Sequence, residues 1–240
     1  MDGSREFGEK TVGEIVAEDY RLAKVFERNG IDFCCGGNIK LSVACSERGI
    51  SVAEIAAQID EIRRTPADRS QNYNAWDLSF LADFIVNTHH AYLNENLVQI
   101  AADAHRINSV HGANHPELAT IYAIFDKIVV DMVAHLREEE QVLFPAVKRL
   151  ESNTRSGALI EESDRSLIRG SIEKLSREHD EVGDSVHEIR RLSGEYSPPA
   201  DACNTYAVTY KKLQEFEDDL HKHVHLENNI LFPRVMALLW

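Results

Sequence analysis

The sequence repeats a segment of eleven residues, and this repeat constrains the fold more than any other feature. Residues 135–145 read HLREEEQVLFP and residues 223–233 read HVHLENNILFP, so both follow the pattern His-x3-Glu-x3-Leu-Phe-Pro at an offset of 88. A histidine recurs at almost the same offset, since His90 and His179 are 89 residues apart. The chain therefore contains a duplicated pair of segments, and each pair has one histidine followed by a His-x3-Glu motif.

Apolar residues recur every three or four positions through most of the chain, which predicts an all-α protein. The breaks between the long periodic segments are short and rich in Gly, Pro, Ser or Asn. The four long segments cover approximately residues 77–109, 117–150, 164–192 and 202–239. Four helices joined by short loops are most economically an antiparallel four-helix bundle.

Shorter helices are predicted before the bundle. Thr11 with Glu14 and Ser51 with Glu54 have the spacing of capping boxes, in which two side chains bond the free backbone N–H groups at a helix start. The first helix is expected to end before Cys34 and the second near residue 64, with a further short helix over 41–47.

A polar segment with a proline and without apolar periodicity follows these helices. It predicts a small helical domain at 1–66, a linker at 67–75 and the bundle at 76–240. The small domain contains the turn Phe33-Cys34-Cys35-Gly36-Gly37. On spacing alone its two cysteines could be no more than small buried residues.

The spacing of the repeated motif predicts a metal site. Residues four apart lie on one face of a helix, so the histidine and the glutamate of each motif point to the same place. Together with the two further histidines they bring four imidazoles and two carboxylates to the bundle axis. Two carboxylates can bridge two metal ions about 3.5–4 Å apart, and mixed nitrogen and oxygen donors suit iron better than structural zinc. The same donors would also suit manganese. The predicted ligands are His90, His135, Glu139, His179, His223 and Glu227.

Three further carboxylates are expected close to the ligands. Asp131 lies four residues before His135, and Asp219 lies four residues before His223, so both are predicted to face the same axis one turn below. There they would accept the free imidazole N–H or line a path for ions. Glu178, beside a predicted ligand, is a third acidic candidate.

Other histidines are not assigned as ligands. His89 is turned about 100° around the helix from His90, so only one of the two can face the axis, and the repeat offset does not decide between them. His221 and His225 lie about 200° around the helix from His223 and are expected at the surface, as is His187.

The charge balance excludes some classes of partner. With 26 Lys+Arg against 40 Asp+Glu the formal charge is -14, and no basic stripe suits nucleic acid or an anionic membrane. There is no apolar run of roughly 18 residues and no signal-peptide pattern at the start, so we expect a cytoplasmic protein. The four cysteines are expected to be free thiols.

These motifs resemble the repair-of-iron-centres family, a group of di-iron proteins that includes ScdA, YtfE and NorA. The resemblance extends from about residue 10 to the end of the chain. Residues 32–37 (DFCCGG) match the N-terminal Cys-Cys-Gly-Gly signature of the family, and residues 178–181 (EHDE) and the two His-x3-Glu segments match its hemerythrin-like domain. The resemblance implies the same six ligands and selects His90 over its neighbour.

The resemblance also implies a function. It suggests a hemerythrin-like bundle with two non-haem irons, bridged by carboxylates and an oxo group, that restores iron-sulfur clusters damaged by nitric oxide or oxidants. The centre would donate iron or would bind or reduce nitric oxide, and Cys34 and Cys35 would take part in transfer or docking. The expected partners are damaged iron-sulfur proteins, nitric oxide and O2. A homodimer is also compatible with the sequence. The alternative is an O2 or nitric oxide sensor, or a scavenger, without repair activity. Iron storage is disfavoured because no Glu-x-x-His pair of the ferritin type is present.

Overall fold

The computed structural model describes residues 7–64 and 72–239. Every regular element in these residues is helical, and only one isolated antiparallel bridge, between Thr11 and Lys40, has β geometry. The all-α prediction is therefore confirmed. The chain forms two compact units: one contains the residues up to Leu81 together with those from Val224 onward, and the other is Ala82–His223. The linker predicted at 67–75 lies partly outside the described residues.

The first unit contains the short helices predicted near the N-terminus. Both capping boxes are present, with the Thr11 hydroxyl accepting from the backbone of Glu14 and the Ser51 box closed by Glu54. The helices are α1 (Val12–Glu18), α2 (Ala23–Arg28), α3 (Leu41–Arg48) and α4 (Val52–Arg63), with 3-10 turns at Tyr20–Leu22 and Tyr73–Ala75.

The first predicted helix is interrupted at Asp19. This residue is extended, with φ −156° and ψ 101°, and its carboxylate accepts from the backbone N–H of Arg21 and pairs with the Arg21 guanidinium at 2.7 Å. Aspartate competes for backbone N–H groups in this way, which ends one helix and starts the next. The apolar periodicity continues across the break because Ile15, Leu22 and Phe26 are all completely buried.

The second unit contains most of the four-helix bundle. His89 Nδ1 lies 2.9 Å from Asp219, whereas His111 Nε2 lies 3.2 Å from Cys203, so the first and last helices of the bundle run antiparallel. The α-helical parts are α5 (Leu78–Ile85), α6 (Ala91–His111), α7 (Glu117–Glu138), α8 (Phe144–Ser156), α9 (Glu162–Leu192), α10 (Asn204–Leu226) and α11 (Phe232–Leu238). The bundle prediction is confirmed.

Three π-helical turns interrupt the bundle helices. They cover Val86–His90, Glu139–Leu143 and Glu227–Leu231, and each contains one of the predicted ligands. The second and third turns are followed closely by Pro145 and Pro233, which lack the N–H that a regular α-helix requires. A proline inside a helix usually causes a bend. The structure instead has a wider turn just before each one, a feature that often occurs at functional sites.

No helix in the described part of the chain is both long enough and apolar enough to cross a membrane.

Candidate metal centre

Five of the six predicted ligands lie in the second unit, and all five are buried. The least buried is His135, with 4% of its surface exposed. His135 belongs to α7 and Glu139 begins the π turn that follows it, so the two remain on one face of a continuous helix. The other three come from separate helical segments: His90 ends the first π turn, His179 belongs to α9 and His223 to α10.

The carboxylate of Glu139 lies between two imidazoles. Its Oε2 is 3.3 Å from His90 Nε2, and its Oε1 is 3.2 Å from His135 Nε2. Each oxygen therefore faces a different histidine. With metal–ligand bonds of about 2.1 Å, neighbouring donors of one ion lie roughly 3–3.4 Å apart. The arrangement suits a carboxylate that shares its two oxygens between two ions.

The remaining histidines extend this arrangement on each side. His179 Nε2 lies 3.1 Å from His135 Nε2, and the ring of His223 is 5.0 Å from that of His90. The donor atoms of His90, Glu139 and His223 all lie within 4.8 Å of one another, as do those of His135, Glu139 and His179. Imidazole nitrogen and carboxylate oxygen are donors that suit iron and manganese, so the residues present fit a metal pair.

Glu227 lies in the first unit, but it continues the helix that contains His223. It is four residues beyond His223, at the start of the third π turn, and is completely buried. Its spacing from His223 repeats that of Glu139 from His135.

Carboxylates hold the outer nitrogens of two of these histidines. Glu178 accepts from His135 Nδ1 at 2.9 Å, and this hydrogen bond is the main reason why the pKa of Glu178 is lowered. Glu140 accepts from His90 Nδ1 at 2.9 Å. Both bonds leave Nε2 facing the centre, which is the arrangement found around metal-ligating histidines. The sequence did not point to Glu140, because the equivalent residue of the second repeat copy is Asn228. Comparing the two copies therefore gave no signal at this position.

Asp131 does not take the position that the sequence predicted. Its side chain is 56% exposed and pairs with Lys127 at 2.7 Å. A step of four residues along an α-helix also turns about 40° around its axis, and that turn places Asp131 at the solvent edge. The outer nitrogen of His135, which Asp131 was expected to bond, is bonded by Glu178 instead.

Asp219 accepts from a histidine outside the predicted ligand set. Its Oδ1 lies 2.9 Å from His89 Nδ1, and the His89 ring stacks on that of His223 with centroids 5.5 Å apart and planes 2° apart. His89 and His90 are each only 1% exposed, so both are buried. Regular α-helical spacing predicted that only one of them could face the bundle axis. Both are buried and both belong to the π turn Val86–His90, which departs from that spacing.

His221 and His225 were expected at the surface, and both expectations are wrong. His225 is completely buried in the first unit, where its ring lies 5.7 Å from Phe33 and 5.6 Å from Tyr20. Burial lowers its pKa to about 3, so the ring is neutral. His221 is 9% exposed.

An open cleft of about 190 Å³ reaches His135 between α7 and α9. Three carboxylates line it, those of Asp131, Glu178 and Glu181, together with Lys127. Solvent and small cations can therefore approach one of the predicted ligands from an acidic surface.

The Cys-Cys-Gly-Gly turn in the first unit is organised by Asp32. One carboxylate oxygen accepts from the backbone N–H of Cys34 at 2.8 Å, and the other accepts from that of Gly36 at 2.9 Å. The Cys34 thiol lies 3.9 Å from Cys35 Sγ and donates to Asp32 at 3.3 Å. The hydrogen bond to Cys35 and burial together raise the pKa of Cys34, so it remains a thiol at neutral pH. All four cysteines are free, as predicted.

Asn229, in the third π turn, holds this cysteine turn. Its Nδ2 lies 3.3 Å from the carbonyl oxygens of both Phe33 and Cys34. The contact requires glycine at Gly13, because a Cβ there would lie 2.0 Å from Asn229 Oδ1. It also brings the turn against α1, since the Gly13 N–H donates to the carbonyl of Gly37 at 2.7 Å.

The bundle and its histidine–glutamate centre define the class of protein as a hemerythrin-type metal-binding bundle. The family model described as the hemerythrin HHE cation binding domain matches residues 81–235. A second model, ScdA_N, described as a domain of unknown function, matches residues 8–63.

Relatives of known name match nearly the whole chain. A probable iron-sulfur cluster repair protein of Haemophilus influenzae is 30% identical over 96% of this chain and 98% of its own length. The iron-sulfur cluster repair protein ScdA of Staphylococcus haemolyticus is 31% identical over 94% and 97%, and the YtfE protein of Yersinia pestis is 29% identical over 96% and 98%. The chain belongs to the ScdA/YtfE family, the repair-of-iron-centres family that its motifs had suggested.

Proposed function

We propose that this protein repairs damaged iron-sulfur clusters and that it does so with a di-iron centre. The names of its relatives support the repair activity. The predicted ligands are His90, His135, Glu139, His179, His223 and Glu227. Its setting would be the cytoplasm, where thiols such as the four free cysteines stay reduced.

The position of Glu139 is the observation on which the two-metal assignment depends. A single metal ion needs only one oxygen of a carboxylate, yet each oxygen of Glu139 faces its own histidine at 3.2–3.3 Å. Glu227 is the second carboxylate because it is completely buried and repeats the spacing of Glu139. Six protein ligands would hold two irons and would leave coordination positions for small ligands such as nitric oxide.

Iron donation is the mechanism that the acidic cleft supports. When bound, the metal pair would supply a ferrous ion to a damaged cluster or a place for nitric oxide to bind and be reduced. The carboxylates of Asp131, Glu178 and Glu181 lie along the way from His135 to solvent and would attract a departing cation. Cys34 would act as a neutral thiol in docking or transfer because its pKa is raised.

Repair is tested by mixing the ferrous protein, without oxygen, with an iron-sulfur enzyme inactivated by nitric oxide. We expect the wild type to restore activity and His135→Ala to restore none. The matched control is His105→Ala, which changes an exposed histidine on α6 and should repair normally. If the wild type restores no activity while fully loaded with iron, the repair function is rejected and a sensor or scavenger remains.

The centre itself is tested by metal analysis of protein purified after growth with ample iron. We expect about two irons per chain, with the ultraviolet absorption of an oxo-bridged ferric pair. One iron per chain, or zinc alone, would contradict the di-iron assignment whether or not repair is observed.

A further inference from the structure

We propose that α9 and α10 form a separate metal site, distinct from the centre described above, and that it binds a divalent first-row transition metal ion. The ligands are His187, Glu217 and His221. None of them belongs to the predicted di-iron centre. Sequence reasoning placed both histidines at the surface and assigned them no role.

The three side chains have the spacing that a metal ion requires. Their donor atoms all lie within 4.8 Å of one another. Glu217 and His221 are one turn apart on α10, with Oε1 and Nε2 separated by 3.8 Å. His187 reaches the pair from α9, and its ring centroid is 5.8 Å from that of His221. Two ligands of a tetrahedral ion with bonds of about 2.1 Å are roughly 3.4 Å apart, so small side-chain rotations complete the site.

The site opens from the protein interior to solvent. Glu217 is completely buried, His221 is 9% exposed and His187 is exposed. An ion held here would have its carboxylate ligand fixed inside the bundle and its outer side open to water. Such an ion binds and leaves more readily than one enclosed on all sides.

The carboxylate of Glu217 is already held in one orientation. Its Oε2 accepts from Arg190 Nη2 at 2.7 Å and from the Tyr196 hydroxyl at 2.8 Å, while Oε1 is 3.1 Å from Arg190 Nε. Oε1 has fewer donors and is the oxygen that faces His221. Partners of this kind behind a metal-ligating carboxylate fix its position before the ion arrives.

The charges near the site do not oppose a cation. The positive charge of Arg190 is shared between Glu217 and Glu195, whose carboxylate lies 2.9 Å from Arg190 Nη1. Two carboxylates against one guanidinium leave a net negative charge beside the two imidazoles.

The donor set indicates which ions bind. Two imidazoles and one carboxylate are the ligand set of many iron(II), zinc and copper sites, whereas magnesium and calcium prefer sets made only of oxygen. We therefore infer binding of Zn²⁺ and Fe²⁺, with affinity rising along the usual series of these metals, and no response to Mg²⁺.

The test is a calorimetric titration of the iron-loaded protein with Zn²⁺, in which iron content is measured before and after. We expect the wild type to bind one more Zn²⁺ per chain than His187→Ala/His221→Ala, with iron retained in both. His105→Ala is the matched control and should bind like the wild type. Mg²⁺ at the same concentration should give no signal.

A single variant distinguishes loss of the metal site from loss of folding. His187→Gln changes only an exposed side chain, so helix content measured by circular dichroism should be unchanged while Zn²⁺ affinity falls at least about tenfold. Equal Zn²⁺ binding by the wild type and both variants would overturn the site. So would Zn²⁺ uptake that occurs only as iron is released.

Discussion

At the scale of single residues, the main feature is the way carboxylates fix imidazole rings. His135 and His90 each donate from Nδ1 to a glutamate at 2.9 Å, and each points Nε2 toward Glu139. A neutral imidazole has one donor and one acceptor nitrogen, so fixing the donor also fixes which nitrogen can bind a metal.

Replacing the carboxylate behind His135 should weaken iron binding without removing a ligand. We expect Glu178→Ala to lower iron affinity about 10–100-fold, because the ring loses the bond that orients it. Competition with a ferrous chelator measures the change. Glu173→Ala is the control, since Glu173 is an exposed residue on the same helix that pairs only loosely with Arg177 at 3.8 Å. Equal affinities for both variants would contradict the role of Glu178.

The thiol of Cys203 should react at lower pH than an ordinary cysteine. It is exposed, and its pKa is lowered by the backbone N–H of Tyr206 and then by His111. A lowered pKa keeps the thiolate present to lower pH, so the alkylation rate should reach half its maximum below the usual value of about 8.5.

Mass spectrometry of iodoacetamide-treated protein measures this rate at each pH. His111→Ala should move the midpoint upward only in part, because the Tyr206 N–H remains. Cys45 serves as the internal comparison, since burial raises its pKa and it should react slowly. A midpoint that is not below the ordinary value would refute the expectation.

At the scale of elements, the two copies of the repeat differ in what their π turns contact. Both turns begin with a buried glutamate, Glu139 or Glu227. The third residue of the π turn in the first copy is the exposed Gln141, whereas the third residue of the π turn in the second copy is Asn229, which bonds the cysteine turn. One π turn therefore holds both a predicted metal ligand and the residue that fixes Cys34.

Removing the Asn229 side chain should loosen the cysteine turn. A hydrogen bond of this kind contributes roughly 1 kcal/mol, so we expect the alkylation rate of Cys34 to rise about fivefold in Asn229→Ala. Gln141→Ala, at the same position of the other copy, is the matched control and should leave the rate unchanged. Equal alkylation rates of Cys34 in the two variants would contradict the role assigned to Asn229.

At the scale of the whole molecule, the predicted centre is a concentration of buried polar groups. His90, His135, Glu139, His179 and His223 are all at most 4% exposed. Burying so many imidazole and carboxylate groups together costs free energy unless they are paired or bind metal. A bound ion stabilises the folded state by an amount that grows with the logarithm of its concentration relative to its Kd.

Removing iron should therefore lower the melting temperature. An ion present at 100 times its Kd contributes about 2.7 kcal/mol, and 1 kcal/mol shifts Tm by roughly 2–4 °C in a protein of this size. We expect chelation to lower Tm by about 5–10 °C, measured by calorimetry, and re-addition of Fe²⁺ to restore it. His135→Ala should show a smaller shift. An unchanged Tm after complete loss of iron would contradict a metal pair at these residues.

Several features follow directly from the amino-acid sequence because they depend only on helix geometry. The apolar periodicity gave the all-α fold, and the capping residues gave the starts of α1 and α4. The spacing of four placed Glu139 next to His135, because neighbours along a helix are fixed by its local geometry whatever surrounds them.

Contacts between side chains of different helices depend on tertiary packing and could not be predicted from spacing. Asp131 shares a helix with His135, yet Glu178 from α9 takes the bond, and Glu140 rather than a repeated residue holds His90. Asn229 donates a hydrogen bond to the carbonyl oxygen of Cys34, which lies 195 positions earlier in the sequence. The spacing of residues fixes the direction in which a side chain points from its own helix. Helix packing decides which residue of another helix it meets there, and a π turn changes the direction itself.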